Sequence, residues 1–404
     1  MSDHHSENDS QYRRCRIRTQ GSGTLVKRAI IAVHIADWIL LPGMKRIAVF
    51  CNNLNANGTV KIALSQAEVL QQAGHRVHLF IFHPGGDFLP PPSISLHYVF
   101  NASAPQDLDA RQRLLQQLVE TVEAQAGRFD LFLSNSTKCD RVVAGCDFSP
   151  CYYFCHCALQ QELLAELRHG PLKFWRRWLE ARALIGKRII TVSEGIAAEL
   201  RTTGWLRPQS VQTIYNPFQL ERIRELAQET VADLPEEPFM IHVGRFTRQK
   251  RHDILFDALR RMPEAPPLVL LCNRPEKVRR LARKYGVESR ILTPGFQHNP
   301  YAWIARASLM LLSSDYEGLP TVLIEALACG TPVVSTDCPY GPREILGEEL
   351  AAYLVPRRDP QALATTAMAC LRSPPSVSAP PILHAVASDV IVERYIALCD
   401  DSRT

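Results

Sequence analysis

The stretch that decides the fold runs from Leu309 to Leu346 and reads LMLLSSDYEGLPTVLIEALACGTPVVSTDCPYGPREIL. Its apolar runs and its turn residues predict, in order, a buried strand, a tight loop, a helix closed by Gly330 and a second buried strand: 309–314, 315–320, 321–329 and 332–336. Two buried strands joined by one helix with short connections form a βαβ unit, which indicates a parallel sheet.

Two carboxylates lie inside this unit. Glu317 stands in the loop before the helix and Glu325 lies just over one turn into it, so both can face a ligand at the helix N-terminus. Unpaired N–H groups and a partial positive charge make that end of a helix favourable for anions. The hydroxyl groups of a phosphate-bearing ligand would bind to these carboxylates. Its phosphate would bind to the segment formed by Gly318, Leu319, Pro320 and Thr321. The alternative is that both acids are solvated and that the glycines only shape turns.

The motif EGLPTVLIEA, followed by CGTPVV, resembles the donor-site signature of retaining GT-B glycosyltransferases of family 4, the group 1 glycosyl transferases. The resemblance covers the loop, the helix and the next strand. It implies an α/β fold in which two Rossmann-like parallel-sheet domains face a cleft and a C-terminal helix crosses back to the N-terminal domain. It also implies that Glu325 binds the ribose hydroxyls of a nucleotide-sugar donor and that Glu317 binds the sugar hydroxyls and takes part in catalysis.

A second motif, GRFTRQK, follows the buried strand predicted at 239–243. Gly244 permits a close backbone approach, and Arg245 and Lys250 place two cations beyond the end of the strand. A diphosphate bound without a metal needs such partners, both in the complex and as the leaving group forms. The motif resembles the diphosphate-binding pair of the family, which implies this role for Arg245 and Lys250, although Arg251 replaces the glycine common there. The alternative is a basic surface turn.

Other candidates come from the first half and from the resemblance. The loop after a strand predicted at 45–53 lies where open parallel sheets bind ligands, and it resembles the glycine-rich acceptor-side loop of the family through Gly58. CYYFCHC predicts a strand that ends at His156, where a family histidine contacts the donor sugar, although a lone histidine is usually structural. By resemblance, Phe296 and Gln297 border the nucleotide base.

One further motif is interpreted as structural and not as catalytic. Asp107-Leu108-Asp109 has the D-x-D spacing of metal-dependent glycosyltransferases of the other major fold. Because it precedes a predicted helix and does not close a strand, helix capping is the better interpretation.

The 404 residues leave room for two domains. We expect an acceptor-side domain at 44–217, completed by a crossing helix at 385–404, and a donor-binding domain at 218–384. Residues 1–43 are expected to be a disordered N-terminal extension that adds nothing to the fold, consistent with an over-called start site. No stretch is long and apolar enough to predict a membrane span.

Charge and cysteine content narrow the class of protein. A net charge of +5 is too small to indicate a nucleic-acid-binding protein. The chain has 12 cysteines, and several cluster between Cys139 and Cys157, but their gaps do not form paired C-x-x-C units. A zinc site, a disulfide framework and free thiols all stay open, and free thiols in a reducing cytoplasm are favoured. We expect no metal and no cofactor besides the sugar nucleotide.

The segment 166–188 holds seven Lys and Arg residues against two Glu residues, interleaved with Phe174, Trp175 and Trp178. A basic helix with tryptophans suits an anionic membrane surface. It equally suits a solvated face whose aromatic rings pack inward, and the sequence does not decide between these two interpretations.

Together these features predict a retaining, metal-independent transferase that moves a hexose or N-acetylhexosamine from a UDP-sugar. The sequence of residues 299–346 resembles that of bacterial envelope members of the family, which implies a lipid-linked or lipopolysaccharide-core saccharide acceptor. The same resemblance implies a cytoplasmic protein that can make a peripheral contact with the inner face of the membrane. The alternatives are a soluble GT-B glucosyltransferase acting on a small molecule and a non-catalytic sugar-nucleotide-binding protein.

Overall fold

The computed structural model of the chain describes residues 43–55, 58–100, 104–167, 170–232, 234–377 and 380–400. The extension expected over 1–43 lies outside the described residues, apart from Gly43.

Two parallel sheets organise these residues. The first has seven strands in the order β3-β2-β1-β4-β5-β6-β7, and the second has six in the order β10-β9-β8-β11-β12-β13. The strands of the first sheet are β1 (Arg46–Cys51), β2 (Arg76–Ile81), β3 (Ser95–Tyr98), β4 (Leu131–Ser134), β5 (Cys151–Cys155), β6 (Arg188–Thr191) and β7 (Ser210–Thr213). Those of the second are β8 (Met240–Val243), β9 (Leu268–Leu271), β10 (Ile291–Leu292), β11 (Leu309–Leu312), β12 (Val333–Thr336) and β13 (Leu354–Val355).

Helices connect the strands. They are α1 (Gly58–Gln72), α2 (Leu108–Ala126), α3 (Thr137–Val143), α4 (Leu159–Leu167), α5 (Pro171–Ala181), α6 (Glu194–Thr202), α7 (Leu220–Gln228), α8 (His252–Arg260), α9 (Pro275–Lys284), α10 (Tyr301–Arg306), α11 (Thr321–Ala328), α12 (Pro342–Leu346), α13 (Pro360–Arg372), α14 (Pro381–Ala385) and α15 (Ser388–Ala397). We call the elements at 46–213 the N-terminal half and those at 220–385 the C-terminal half.

The central strands of the second sheet are buried on both faces, as the apolar strand β11 shows. In β11, Leu309 and Leu311 face one core, while Met310 and Leu312 face the other. Such uninterrupted apolar strands are typical of parallel sheets covered by helices on each side. Each sheet reverses its strand order next to its first strand, between β1 and β4 and between β8 and β11. Ligands bind at such switch points, beyond the carboxyl ends of the strands.

The α/β class and the two Rossmann-like sheets predicted from the sequence are confirmed. The D-x-D segment caps a helix, as predicted, since the Asp107 carboxylate accepts a hydrogen bond from Ala110 N at 2.8 Å. The decisive βαβ unit is β11, α11 and β12, each within two residues of its predicted ends.

The C-terminal helix crosses back as predicted. Its Tyr395 lies buried against α1, where the hydroxyl group accepts a hydrogen bond from Gln66 Nε2 at 2.9 Å, and its ring lies 6.0 Å from that of Phe154. The last helix therefore belongs to the packing of the N-terminal half.

Among the described residues, no helix combines the length and the apolar composition needed to cross a bilayer. The cysteines in this part of the chain are free thiols, and no three His, Cys, Asp or Glu side chains within it are grouped so that they could hold a metal ion.

Candidate functional site

A cleft of about 630 Å³ lies between the two halves, at the carboxyl ends of their parallel strands. This is a size typical of small-ligand sites. The candidate residues that line it are Gly58, His156, Arg245, Glu317, Gly318, Leu319, Thr321 and Glu325. Folding therefore brings together residues that are far apart in the sequence, and Lys61 and Tyr301 are among the lining residues that the sequence did not indicate.

Glu317 is held in a fixed position. Its Oε1 accepts hydrogen bonds from Lys250 Nζ at 2.8 Å and from Ser314 Oγ at 2.5 Å, and its side chain is only 8% exposed. Gln249 Nε2 lies 3.4 Å from the other carboxylate oxygen. A carboxylate with this many donors is pre-oriented, so it can present a lone pair to a ligand hydroxyl without rearranging.

Glu325 contacts the opposite half of the molecule. Lys61 Nζ, on α1, lies 3.3 Å from Glu325 Oε1 and 3.3 Å from the Tyr301 hydroxyl. The carboxylate of Glu325 raises the pKa of Lys61, so the ammonium group is charged. Lys61 was missed because its contact lies 264 residues away in sequence, and a basic residue in an amphipathic helix gives no signal of such a partner.

Arg245 is exposed at the carboxyl end of β8 and lines the cleft. Within the described residues its guanidinium makes no hydrogen bond and no ion pair. Gly244 beside it has a steric role, because a Cβ atom there would lie 3.3 Å from Lys250 Cε and 3.4 Å from His242 Nε2. The glycine thus leaves space for the Lys250 side chain to reach Glu317.

His156 and Gly318 bring the two halves into direct contact. A Cβ atom on Gly318 would overlap the carbonyl oxygen of His156. The His156 ring has its Nε2 3.3 Å from Asn135 Oδ1, whereas its buried Nδ1 has no partner within the described residues. Burial lowers the pKa of His156 to about 4, so the ring is neutral near pH 7. Since the Asn135 oxygen only accepts, the ring proton lies on Nε2, which leaves Nδ1 as an acceptor.

Three predicted residues, Phe296, Gln297 and Pro320, lie outside the lining of the cleft. Phe296 is 65% exposed and, like Gln297, does not contribute to the lining of the cleft. Gln297 Nε2 instead donates to the Pro294 carbonyl at 3.3 Å. Pro320 precedes α11 and packs where a Cβ atom on Gly341 would lie 2.6 Å from its Cδ, so it shapes the loop. Gly58 lines the cleft, but a Cβ atom there would meet open space.

Arg251 clasps the two loops that carry the cleft residues. It has a left-handed backbone with φ of 48°, and its guanidinium binds the carboxylates of Asp253 at 2.8 Å and Asp315 at 3.1 Å. Asp315 also receives Arg358 Nε at 2.9 Å. A left-handed residue explains why glycine suits this position, and the ion pairs offset the strain of arginine there.

The basic segment predicted over 166–188 is divided between the end of α4, the helix α5 and the start of β6. Some of its aromatic side chains pack inward, and other apolar side chains are exposed. Phe174 and Trp178 are half-buried against the core. Exposed apolar side chains flank them, with Leu172 83%, Trp175 53% and Leu179 47% exposed, beside the exposed cations Lys173 and Arg176. We call these five exposed residues the α5 patch.

A smaller cavity of about 370 Å³ adjoins the cleft in the N-terminal half and shares His156 with it. Its lining is rich in amide and hydroxyl groups, from Asn52, Asn53, Asn55, Thr59, Asn135, Ser136 and Thr137. Such groups suit a hydroxyl-rich ligand.

Two parallel-sheet halves that meet over this cleft define a two-domain protein of the GT-B class. In agreement, HepE from Anabaena, solved with UDP and glucose, superposes with a TM-score of 0.61 over 89% of this chain and 95% of its own, at 19% identity.

The family follows from sequence comparison. Residues 56–222 match the model described as Glycosyltransferase Family 4, and residues 224–379 match the model described as Glycosyl transferases group 1. The chain therefore belongs to the group 1 glycosyltransferases of family 4.

Curated relatives match over shorter spans. The N-acetylgalactosamine-N,N'-diacetylbacillosaminyl-diphospho-undecaprenol 4-alpha-N-acetylgalactosaminyltransferase of Campylobacter jejuni is 33% identical over 41% of this chain and 46% of its own length. The lipopolysaccharide 1,6-galactosyltransferase of Salmonella typhimurium is 30% identical over 39% of this chain and 45% of its own length. The match thus spans about half the length of these relatives.

Proposed function

We propose that the protein transfers a hexose or N-acetylhexosamine from a UDP-sugar, with retention of anomeric configuration, to a lipid-linked or lipopolysaccharide-core saccharide. The observation that carries the proposal is the convergence of three residues in one cleft: Arg245, a cation with no ion pair among the described residues, and the two buried carboxylates of Glu317 and Glu325. The names of the Campylobacter and Salmonella relatives support this class of acceptor.

Each residue has a role in the proposed donor complex. Glu325 binds the ribose hydroxyls and Glu317 the hydroxyls of the transferred sugar. Arg245 and Lys250 neutralise the diphosphate as it departs, and such fixed cations in a water-poor cleft stabilise the charge that develops there. The His156 Nδ1 lone pair accepts a hydrogen bond from a sugar hydroxyl.

Two finer features belong to the same proposal. The reaction proceeds on the front face of the sugar, assisted by the leaving phosphate, so no side chain is a nucleophile. The donor diphosphate binds without a metal, because protein cations at the end of β8 take the role of its counter-ions. No cofactor is needed for this reaction.

The acceptor occupies the smaller cavity in the N-terminal half. Its amide and hydroxyl lining suits the outermost sugar of a saccharide, and His156 is shared with the donor cleft. The α5 patch holds the protein against an anionic membrane that carries the lipid end of the acceptor. Exposed leucine and tryptophan beside lysine and arginine are typical of helices that bind at such an interface.

A panel of UDP-, GDP- and ADP-sugars tests the donor site. Thermal shift and nucleotide release are recorded without metal and with chelator. We expect stabilisation by a UDP-sugar that persists in chelator and disappears in Arg245→Ala and Glu325→Ala. A folded protein that responds to no sugar nucleotide would rule out the assigned donor site.

Vesicle sedimentation tests the membrane contact. The double variant Leu172→Ser/Trp175→Ser should lose binding to vesicles that contain anionic phospholipid and keep its donor affinity. The matched control is Leu114→Ser/Leu292→Ser, which removes two exposed apolar side chains elsewhere on the surface. Equal vesicle binding by both double variants would contradict the assignment of the patch.

A further inference from the structure

Two Lys–Glu pairs lie in the same cleft, and they differ in how firmly they are held. Lys250 Nζ lies 2.8 Å from Glu317, and both side chains are largely buried. Lys61 Nζ lies 3.3 Å from Glu325, and the Lys61 side chain is 57% exposed while that of Glu325 is 7% exposed. Charge-assisted hydrogen bonds between ammonium and carboxylate groups are normally about 2.7–2.9 Å long. The first pair is therefore fixed, whereas the second is loose.

The loose pair is also the one that joins the two halves. Lys61 extends from α1 of the N-terminal half, while Glu325 on α11 and Tyr301 on α10 belong to the C-terminal half. Because the Lys61 side chain is more than half exposed, water and a bound ligand can compete for this pair more easily than for the buried Lys250–Glu317 pair. The four-carbon side chain of lysine then lets the ammonium group move within the cleft.

The charges of the cleft indicate where the ammonium group would move. Lys250 and Lys61 are each compensated by a carboxylate, whereas Arg245, which lines the cleft, makes no ion pair within the described residues. The diphosphate of a UDP-sugar carries two negative charges. Of the two cations assigned to it, Lys250 is already balanced by Glu317, so a further cation would complete the neutralisation. Lys61 is the cation whose present partner would be taken by the ribose.

We propose that Lys61 exchanges partners when the donor binds: the ribose hydroxyls take Glu325, and the Lys61 ammonium group turns to the diphosphate. The inference rests on the proposed function and adds a cation from the N-terminal half to the diphosphate-binding part of the donor site. Donor occupancy is thereby sensed by α1, the helix that also borders the acceptor cavity through Thr59 and Val60.

Calorimetric titration with UDP and with uridine tests the exchange, because uridine offers the ribose without the phosphates. In Lys61→Met, UDP should bind at least ~10-fold more weakly, the scale of one lost charge-assisted hydrogen bond. Uridine should bind as well as before or more tightly, since Glu325 no longer has a competitor. Lys61→Arg should retain most of the UDP affinity. The charge-matched control is Lys277→Met, on the exposed surface of α9.

Each other outcome has a definite meaning. Unchanged or tighter UDP binding by Lys61→Met would overturn the exchange, and so would an equal loss for uridine and UDP, which would make Lys61 a support of the ribose pocket. An equal loss of UDP affinity in Lys277→Met would show that the loss comes only from the change in net charge. If the folded wild-type protein binds no UDP at all, the proposed donor site fails, and this result differs from every outcome that overturns the exchange alone.

Discussion

At the scale of single residues, the point where the halves touch is the most sensitive. Gly318→Ala places a methyl group against the His156 carbonyl, which is backbone and cannot rotate away. The cleft must then open by a fraction of an ångström or more, and misplacement of this order lowers rates strongly. We expect kcat/KM for sugar transfer to fall by ~10-fold or more, with little change in thermal stability.

Gly204→Ala is the control, because a Cβ atom at Gly204 meets nothing within 4 Å. It should leave kcat/KM unchanged. Full activity in Gly318→Ala would show that the contact with His156 is not needed for catalysis.

The fixed pair makes a second residue-scale prediction, in which stability and activity separate. Lys250→Met leaves the Glu317 carboxylate buried without its cation, which should lower the free energy of unfolding by about 1–3 kcal/mol. The double variant Lys250→Met/Glu317→Gln removes the buried charge and should regain most of that stability. Its transferase activity should stay lost, because both proposed donor contacts are gone.

Chemical denaturation and a donor-turnover assay on the same three proteins check this pattern. Activity that returns together with stability in the double variant would contradict the assigned roles of Lys250 and Glu317.

At the scale of elements, the Arg251 clasp joins the loop after β8 to the loop after β11. Arg251→Gly loses the ion pairs but relieves the left-handed strain, whereas Arg251→Ala loses the pairs and keeps the strain. The glycine variant should therefore be more stable than the alanine variant by about 1 kcal/mol. Thermal melts of the two variants measure the difference, and a more stable alanine variant would contradict the assigned backbone strain.

Sequence reasoning succeeded where an element carries its own pattern. The unit β11–α11–β12 was predicted closely because its strands are continuously apolar and Gly330 ends its helix. Sequence reasoning missed β3, whose four residues SLHY lie at a half-exposed edge of the sheet, and β13, which has two residues. Such short strands are fixed by their neighbours in the sheet, and they are too short to show a hydrophobic periodicity in the sequence.

The candidate site shows the same division. Glu317, Glu325, Arg245 and Lys250 could be found because each lies in a local motif. Lys61 could not, since its significance depends on which face of α1 meets the other half. The role of Gly318 against His156 likewise depends on how the halves close.

At the scale of the whole molecule, a second set of contacts joins the halves on another side. Tyr340 OH donates to Glu199 Oε2 at 2.8 Å, and Glu344 accepts hydrogen bonds from Tyr215 OH at 2.5 Å and from Glu194 N at 2.8 Å. A Cβ atom on Gly195 would lie 2.5 Å from the ring of Tyr340. The halves are thus joined closely here by polar contacts, away from the Lys61–Glu325 pair.

Buried histidines predict how stability depends on pH. Burial lowers the pKa of His78, His156 and His252 to about 4 and that of His242 well below 6.5, so the folded protein binds fewer protons than the unfolded chain between pH 4 and 6.5. The contribution of these neutral histidines to the free energy of unfolding is complete above pH 6.5 and is lost as the pH falls. Burial raises the pKa of Asp140, which gives the opposite slope for one group.

Four groups against one leave a net loss of about 3 kcal/mol per pH unit near pH 5.5. Urea unfolding followed by tryptophan fluorescence at pH 7.5 and 5.5 measures it. Equal or greater stability at pH 5.5 would contradict the burial of neutral imidazoles.

The buried contact between Tyr395 and Gln66 has a consequence for how the protein is made. A ribosome delivers α1 long before the helix that covers this face of it, because Tyr395 follows Gln66 by 329 residues. The N-terminal half therefore cannot finish packing until α15 has emerged, and until then its surface around Gln66 and Phe154 stays open to water or to a chaperone. A truncation before Ser388 would leave that surface uncovered, so the packing of the N-terminal half depends on a helix from the far end of the described residues.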